Sequence, residues 1–137
     1  MKRVRDEGHL NRIRALPCVL TARPGVHAAH VRFGWEPAGK RPTGMGEKPD
    51  DRWAIPLCPE LHTMHSGAQH NHNERLWWEY VGVDVIAFAA HLYEHTNDPW
   101  MLQELVAIYM PRRTEYLVRI ADMMNGEKPN LKEQAND

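Results

Sequence analysis

A chain of 137 residues is long enough for one domain with its own core, and 17 basic against 18 acidic residues, a formal charge of −1, exclude a uniformly basic nucleic-acid coat. No apolar run reaches the roughly 18 residues that span a bilayer, since the stretch 81–90 is interrupted by Gly82 and Asp84, so no membrane role is expected. Two cysteines, Cys18 and Cys58, allow at most one disulfide and no secretory leader precedes them, which points to the cytoplasm.

In chain order, Leu10, Ile13 and Leu16 recur at helical spacing with Arg12 and Arg14 turned away, and Pro17 stops the helix. Residues 18–21 read as a short strand end, followed by a turn through Pro24 and Gly25. Residues 26–33 read as the first strand of a hairpin, and 53–57 as the second, with Pro56 at an edge. Between them, 34–51 carries Pro37, Gly39, Pro42, Gly44, Gly46 and Pro49, and is predicted as a long loop without a regular element.

Pro59 opens a helix carrying Glu60, Leu61 and His62. Gly67 favours a break there, with a new helix beginning near Asn71 and ending at Gly82. Asp84 caps a helix with a Val85, Phe88, Ala89 and Leu92 stripe; Asp98-Pro99 opens another, with Leu102, Leu105, Val106 and Tyr109 inward until Pro111. A last helix places Leu117, Ile120, Ala121 and Met124 on its inner face and stops at Asn125-Gly126. The tail 127–137 has almost no apolar residues and is expected to be disordered.

Five of the nine histidines, His27, His30, His62, His65 and His70, fall within 27–70, and His72 lies just beyond. Neutral imidazole needs partners for both a donor and an acceptor nitrogen, so clustered histidines are a costly packing solution and a common one for holding a divalent metal or moving a proton. Basic residues also collect early: Arg12 and Arg14 on the first helix, then Arg32, Lys40, Arg41, Lys48 and Arg52. That half of the chain can attract phosphate despite the near-neutral total.

The pattern Ala29-His30-Val31, a loop, then Leu57-Cys58-x-x-Leu61-His62 and a further His70 resembles the HNH (ββα-metal, or His-Me finger) endonucleases. The run Gln69-His70 with Asn73-Glu74 and Trp77-Trp78 is similar to phage and prophage members, among them recombination-enhancement nucleases. The resemblance covers roughly 10–92. It implies an α+β fold: an HNH ββα finger at 18–82, a basic N-terminal helix at 1–17, a mainly helical extension at 83–126 and the tail.

The function it implies is metal-dependent DNA endonuclease, with His30 as general base and one divalent ion, Mg, Mn, Ni or Zn alike, on His62 and His70. Ala29 stands where the family keeps a metal-binding histidine or aspartate, which leaves His27, Asp51 or its neighbour Asp50 to complete the set; His65, one helical turn from His62, is the rival to His70, and spacing alone does not choose between them. Arg32, Lys48, Arg52, Arg12 and Arg14 are the expected phosphate contacts. The implied partner is DNA, double-stranded or a recombination intermediate, in a bacterial or phage-infected cytoplasm, and the C-terminal helices offer a route to oligomers. A finger that binds nucleic acid without cutting it is the alternative, and an interaction module docking through its helices is a third.

Family members often carry a structural zinc on two Cys-x-x-Cys pairs. The corresponding positions here read Cys18…Thr21 and Cys58…Leu61, so no such zinc is expected and the two cysteines read as small buried residues near one another. Trp77 and Trp78 read as core, and His9, His72, His91 and His95 as structural or surface residues.

Overall fold

The structure is a computed structural model and describes residues 3–68 and 73–131. Among these it is a mixed α+β fold, with six α-helices and one two-stranded antiparallel sheet. Helix α1 spans Glu7–Arg14, strands β1 and β2 span His27–His30 and Ala54–Leu57, and α2 to α6 span Pro59–Ala68, Asn73–Val81, Val85–Glu94, Pro99–Tyr109 and Thr114–Met124. No helix among the described residues is long and apolar enough to cross a membrane.

Three helices start where an aspartate offers its carboxylate to an unpaired amide of the first turn. Asp6 accepts from His9 at 2.9 Å, Asp84 from Ala87 at 3.2 Å and Asp98 from Met101 at 3.1 Å. The hairpin lies centrally, with α1 on both strands, α2 against β1 and α4 against β2, while α3, α5 and α6 pack around that nucleus. Its register pairs His27 with Leu57, Ala28 with Pro56, Ala29 with Ile55 and His30 with Ala54. Pro56 is tolerated because a two-stranded sheet has only edges, and its carbonyl accepts the Val19 amide. Leu10, Ile13 and Leu16 are buried as their spacing predicts, and Trp77 and Trp78 are core residues packed edge to face at 4.9 Å.

Several elements differ from the sequence reading. Both strands are shorter than expected, four residues each, and 18–21 forms a turn closed by the Ala22 amide on the Cys18 carbonyl, with Ala22 at φ +64°. The long loop contains 3₁₀ turns at Glu36–Ala38 and Asp51–Trp53 and a Trp35–Lys40 bridge. Lys40, buried beside Trp53, donates to the Phe33 carbonyl, and burial lowers its pKa to about 8. Helix α2 runs through Gly67 to Ala68 and α3 is described from Asn73, so the two helices expected on either side of this region are both present, with 69–72 outside the described residues.

The inner face of α6 is Ile120 and Met123, with Leu117 and Ala121 exposed. The helix is turned by Tyr116, whose ring lies where a Cβ on Gly82 would be, and by Arg119, which stacks on Tyr80 at 4.6 Å and donates to its carbonyl. In the expected tail, Leu131 packs against the core, and 132–137 lie outside the described residues.

His9 is fully buried, pairs through Nδ1 with Thr96 Oγ1 at 2.7 Å, and leaves Nε2 without a partner. Burial lowers its pKa, against the opposing pull of Asp6. The unfolded chain therefore binds a proton more readily, and the stability that neutral His9 contributes is present above about pH 6.5. It is lost as the pH falls from there through the depressed native value. Urea melts of wild type and His9→Phe are expected to differ by a constant amount in mild alkali, with the gap narrowing in acid. A gap that stays constant through the acid range would show that His9 titrates alike in both states.

Candidate metal and general-base site

The two ends of the short hairpin carry the two groups that matter. At the loop end, His30 closes β1 and Asp51 begins the turn that leads into β2. His30 Nε2 lies 2.9 Å from Asp51 Oδ1, with the two side chains 21% and 12% exposed, so the pair is sheltered yet reachable. The other carboxylate oxygen accepts the Asp6 amide at 2.7 Å, and the Asp51 amide donates to Val4. A carboxylate pinned in this way fixes the ring's orientation and, with Nε2 protonated, leaves Nδ1 as the acceptor.

At the opposite end, His27 opens β1 across from Leu57, and β2 passes through Cys58 into α2. His62 lies in the first turn of α2, its amide bonded to the Cys58 carbonyl at 2.9 Å. This brings His27 Nδ1 to 2.9 Å from His62 Nδ1, with the rings at 75°. Imidazole nitrogens bind zinc at about 2.0–2.1 Å, which at a tetrahedral angle separates two ligands by about 3.3 Å. The pair needs to open by only a few tenths of an ångström, and nitrogen donors suit Zn or Ni better than Mg.

Of the expected ligands, His62 is therefore placed, and its described partner is His27. Asp51 is bonded to His30 instead of joining them. His70 lies outside the described residues, as does His72, and the His65 side chain is not described, although the residue belongs to α2. Among the described residues, no group of three or more histidine, cysteine or acidic side chains could hold a metal. His27 and His30 lie three residues apart, about 10 Å along an extended strand, on opposite faces. Ala29, where the resemblance implies a ligand, is buried at 1% exposure.

The basic residues divide. Arg14 is paired with Glu7 at 2.9 Å, and Arg52 meets Asp50 through both Nε and Nη2. Among the described residues, the Arg12 and Arg32 guanidiniums bond to neutral oxygens, of Thr96 and Gly44, and exposed Lys48 has no ion-pair partner. Lys48 and Arg52 line a cavity of about 200 Å³ with Arg3, Lys40 and Arg41, five cations against Glu47 and Asp50. Arg3 and Arg41 belong to the same basic half of the chain, and they meet here because the loop folds against the N-terminal segment, where Arg3 donates to the Pro49 carbonyl.

Cys18 and Cys58 are buried and free, neighbours whose sulfurs are held by other groups: Cys18 Sγ accepts the Leu20 amide at 3.4 Å and the Cys58 thiol donates to Met124 Sδ at 4.0 Å. The Cys58 thiol, helped by the Thr21 hydroxyl and resisted by burial, lowers the Cys18 pKa to about 5, while the same contact and burial push Cys58 up. Thr21 lies beside the two thiols, at a position where the resembled family keeps a second cysteine. His91 pairs with the Tyr109 hydroxyl at 2.6 Å and His95 caps α4, so neither joins the hairpin groups.

The molecule is thus a small α+β protein whose hairpin presents a histidine–carboxylate dyad at one end and a convergent imidazole pair at the other. No protein-family model, curated protein or solved structure matches the chain.

Proposed function

We propose that the protein is a metal-dependent DNA endonuclease built on an HNH-like ββα finger formed by β1, β2 and α2. The observation that carries the reading is the meeting of His27 and His62 at 2.9 Å, two partly exposed imidazoles joined through their ring nitrogens at a strand–helix junction. A divalent ion held there would supply Lewis-acid stabilisation of charge on phosphate. His30, oriented by Asp51, would take the proton of the attacking water as the new oxygen–phosphorus bond forms and the bond to the ester oxygen breaks, that oxygen leaving with a proton from solvent; the ion, about 10 Å away along β1, would act on a neighbouring phosphate of the same strand. The cavity lined by Lys48, Arg52, Arg3 and Arg41 holds flanking phosphates.

A second reading is a finger that binds nucleic acid without cutting, and it draws on the placement of His27 and His30 on opposite strand faces. Plasmid nicking separates the two. Purified protein is expected to nick supercoiled DNA with Mg²⁺, Mn²⁺, Ni²⁺ or Zn²⁺ and to stop in excess EDTA. His27→Ala and His62→Ala should each weaken binding of the active ion by about tenfold or more, a typical consequence of degrading a metal site. Salt-sensitive DNA binding with no nicking under any of these ions would establish the second reading.

A further inference from the structure

A second cavity, of about 430 Å³, opens between the segment leaving β1 and helices α3, α4 and α6. We propose that it accepts an unstacked, amino-bearing base of a nucleic-acid strand whose backbone lies at His30, an inference that rests on the nuclease reading. Its walls include the rings of Phe33, Trp35 and Tyr116, and Trp35 is 43% exposed, so the cavity offers flat apolar faces to a planar guest. The volume lies within the 300–1,000 Å³ range usual for small-molecule pockets, ample for a base with its sugar.

Charge selects which part of a nucleotide enters. The lining carries Arg75 against Glu79 and Asp84, and Arg75 is already bound to Glu79 Oε1 at 2.7 Å. Phosphate is therefore disfavoured, in contrast to the five-cation cavity. Asp84 uses Oδ1 to cap α4. The second oxygen of each carboxylate remains to accept from an exocyclic amine, the group that distinguishes adenine and cytosine from thymine. Stacking on aromatic walls with hydrogen bonds to the base edge is the general way proteins hold a base taken out of its stack.

Position ties the cavity to the dyad. Phe33 follows His30 by three residues, at most about 10 Å of chain. That is the rise of about three stacked nucleotides and of fewer in a stretched strand. The connection is fixed, because buried Glu74 at the start of α3 accepts the amides of both Arg32 and Phe33. A strand whose phosphate sits at His30 thus has a base within reach of the cavity.

The test compares a short oligodeoxyadenylate with a base-free deoxyribose-phosphate strand of equal length, in EDTA to prevent cutting. Wild type is expected to prefer the adenylate by about tenfold or more, the range that base stacking supplies. Trp35→Ala should abolish that preference while binding the base-free strand as before. Trp35→Phe should retain the preference but lose the fluorescence quench that stacking on Trp35 produces. Equal binding of both strands by wild type, or an undiminished preference in Trp35→Ala, overturns the base pocket and leaves the nuclease reading intact. No binding of either strand, or of duplex DNA, overturns both.

Discussion

His30→Ala is expected to lower DNA cleavage by about 10²- to 10⁴-fold, the contribution of a positioned general base, while DNA affinity stays within a few fold. In the proposed reaction His30 would supply the nitrogen that takes the proton, and its side chain, only 21% exposed, offers little surface for holding DNA. Asp51→Asn is expected to cost about 10²-fold. It keeps the size of the side chain but replaces one carboxylate oxygen with an amide nitrogen. The two carboxylate oxygens serve His30 Nε2 and the Asp6 amide, so the amide leaves one of these donors unmatched. The effect should fall on kcat, with KM nearly unchanged, as befits a residue that acts through another. Cleavage by His30→Ala within twofold of wild type would remove His30 from the chemistry.

Glu74→Ala is expected to be the most destabilising single substitution in the chain. The carboxylate is fully buried and accepts the Arg32 amide at 2.9 and 3.1 Å and the Phe33 amide at 2.7 Å. Its removal strands two amides, each costing about 1–3 kcal/mol when left unpaired, so the loss should be roughly 3–5 kcal/mol, at the extreme of single substitutions. For a domain of this size that lowers the melting temperature by roughly 10 °C or more. Glu74→Gln keeps one carbonyl acceptor and should lose about half as much. A melting temperature for Glu74→Ala within about 2 °C of wild type would show that water takes over the two amides.

The helices were legible where local chemistry decides them. Asp84 before an apolar stripe and Asp98-Pro99 before another each carry a cap and a periodicity that agree, and α4 and α5 begin at the next residue. The face of α6 was not legible, because Leu117 and Ile120 fit one stripe equally well and only the packing of Tyr116 on Gly82 rotates Leu117 outward. Gly67, costing about 1 kcal/mol in a helix, marked the region where one helix gives way to the next: α2 is described to Ala68 and α3 from Asn73.

The candidate site was legible as a set of residues and not as pairings. His30 with Asp51, and His27 with His62, are separated by 21 and 35 positions and meet because each pair flanks one end of the same hairpin. Spacing along one helix, which suggested His65, carries no information about such a junction. The signal that was available is topological: residues just before β2 return to the end of β1, and residues just after β2 return to its start.

Asp51 also bears on how small a working unit can be. Its carboxylate is held by the backbone of Asp6 and its amide by that of Val4, so the first helix and the hairpin share one interaction instead of forming separable pieces. Excising residues 18–82 as a minimal finger would keep the imidazole pair of His27 and His62 but free the acid that orients His30. The bond that fixes this acid joins residues 45 positions apart, so the geometry of the dyad belongs to the whole fold and not to the hairpin alone.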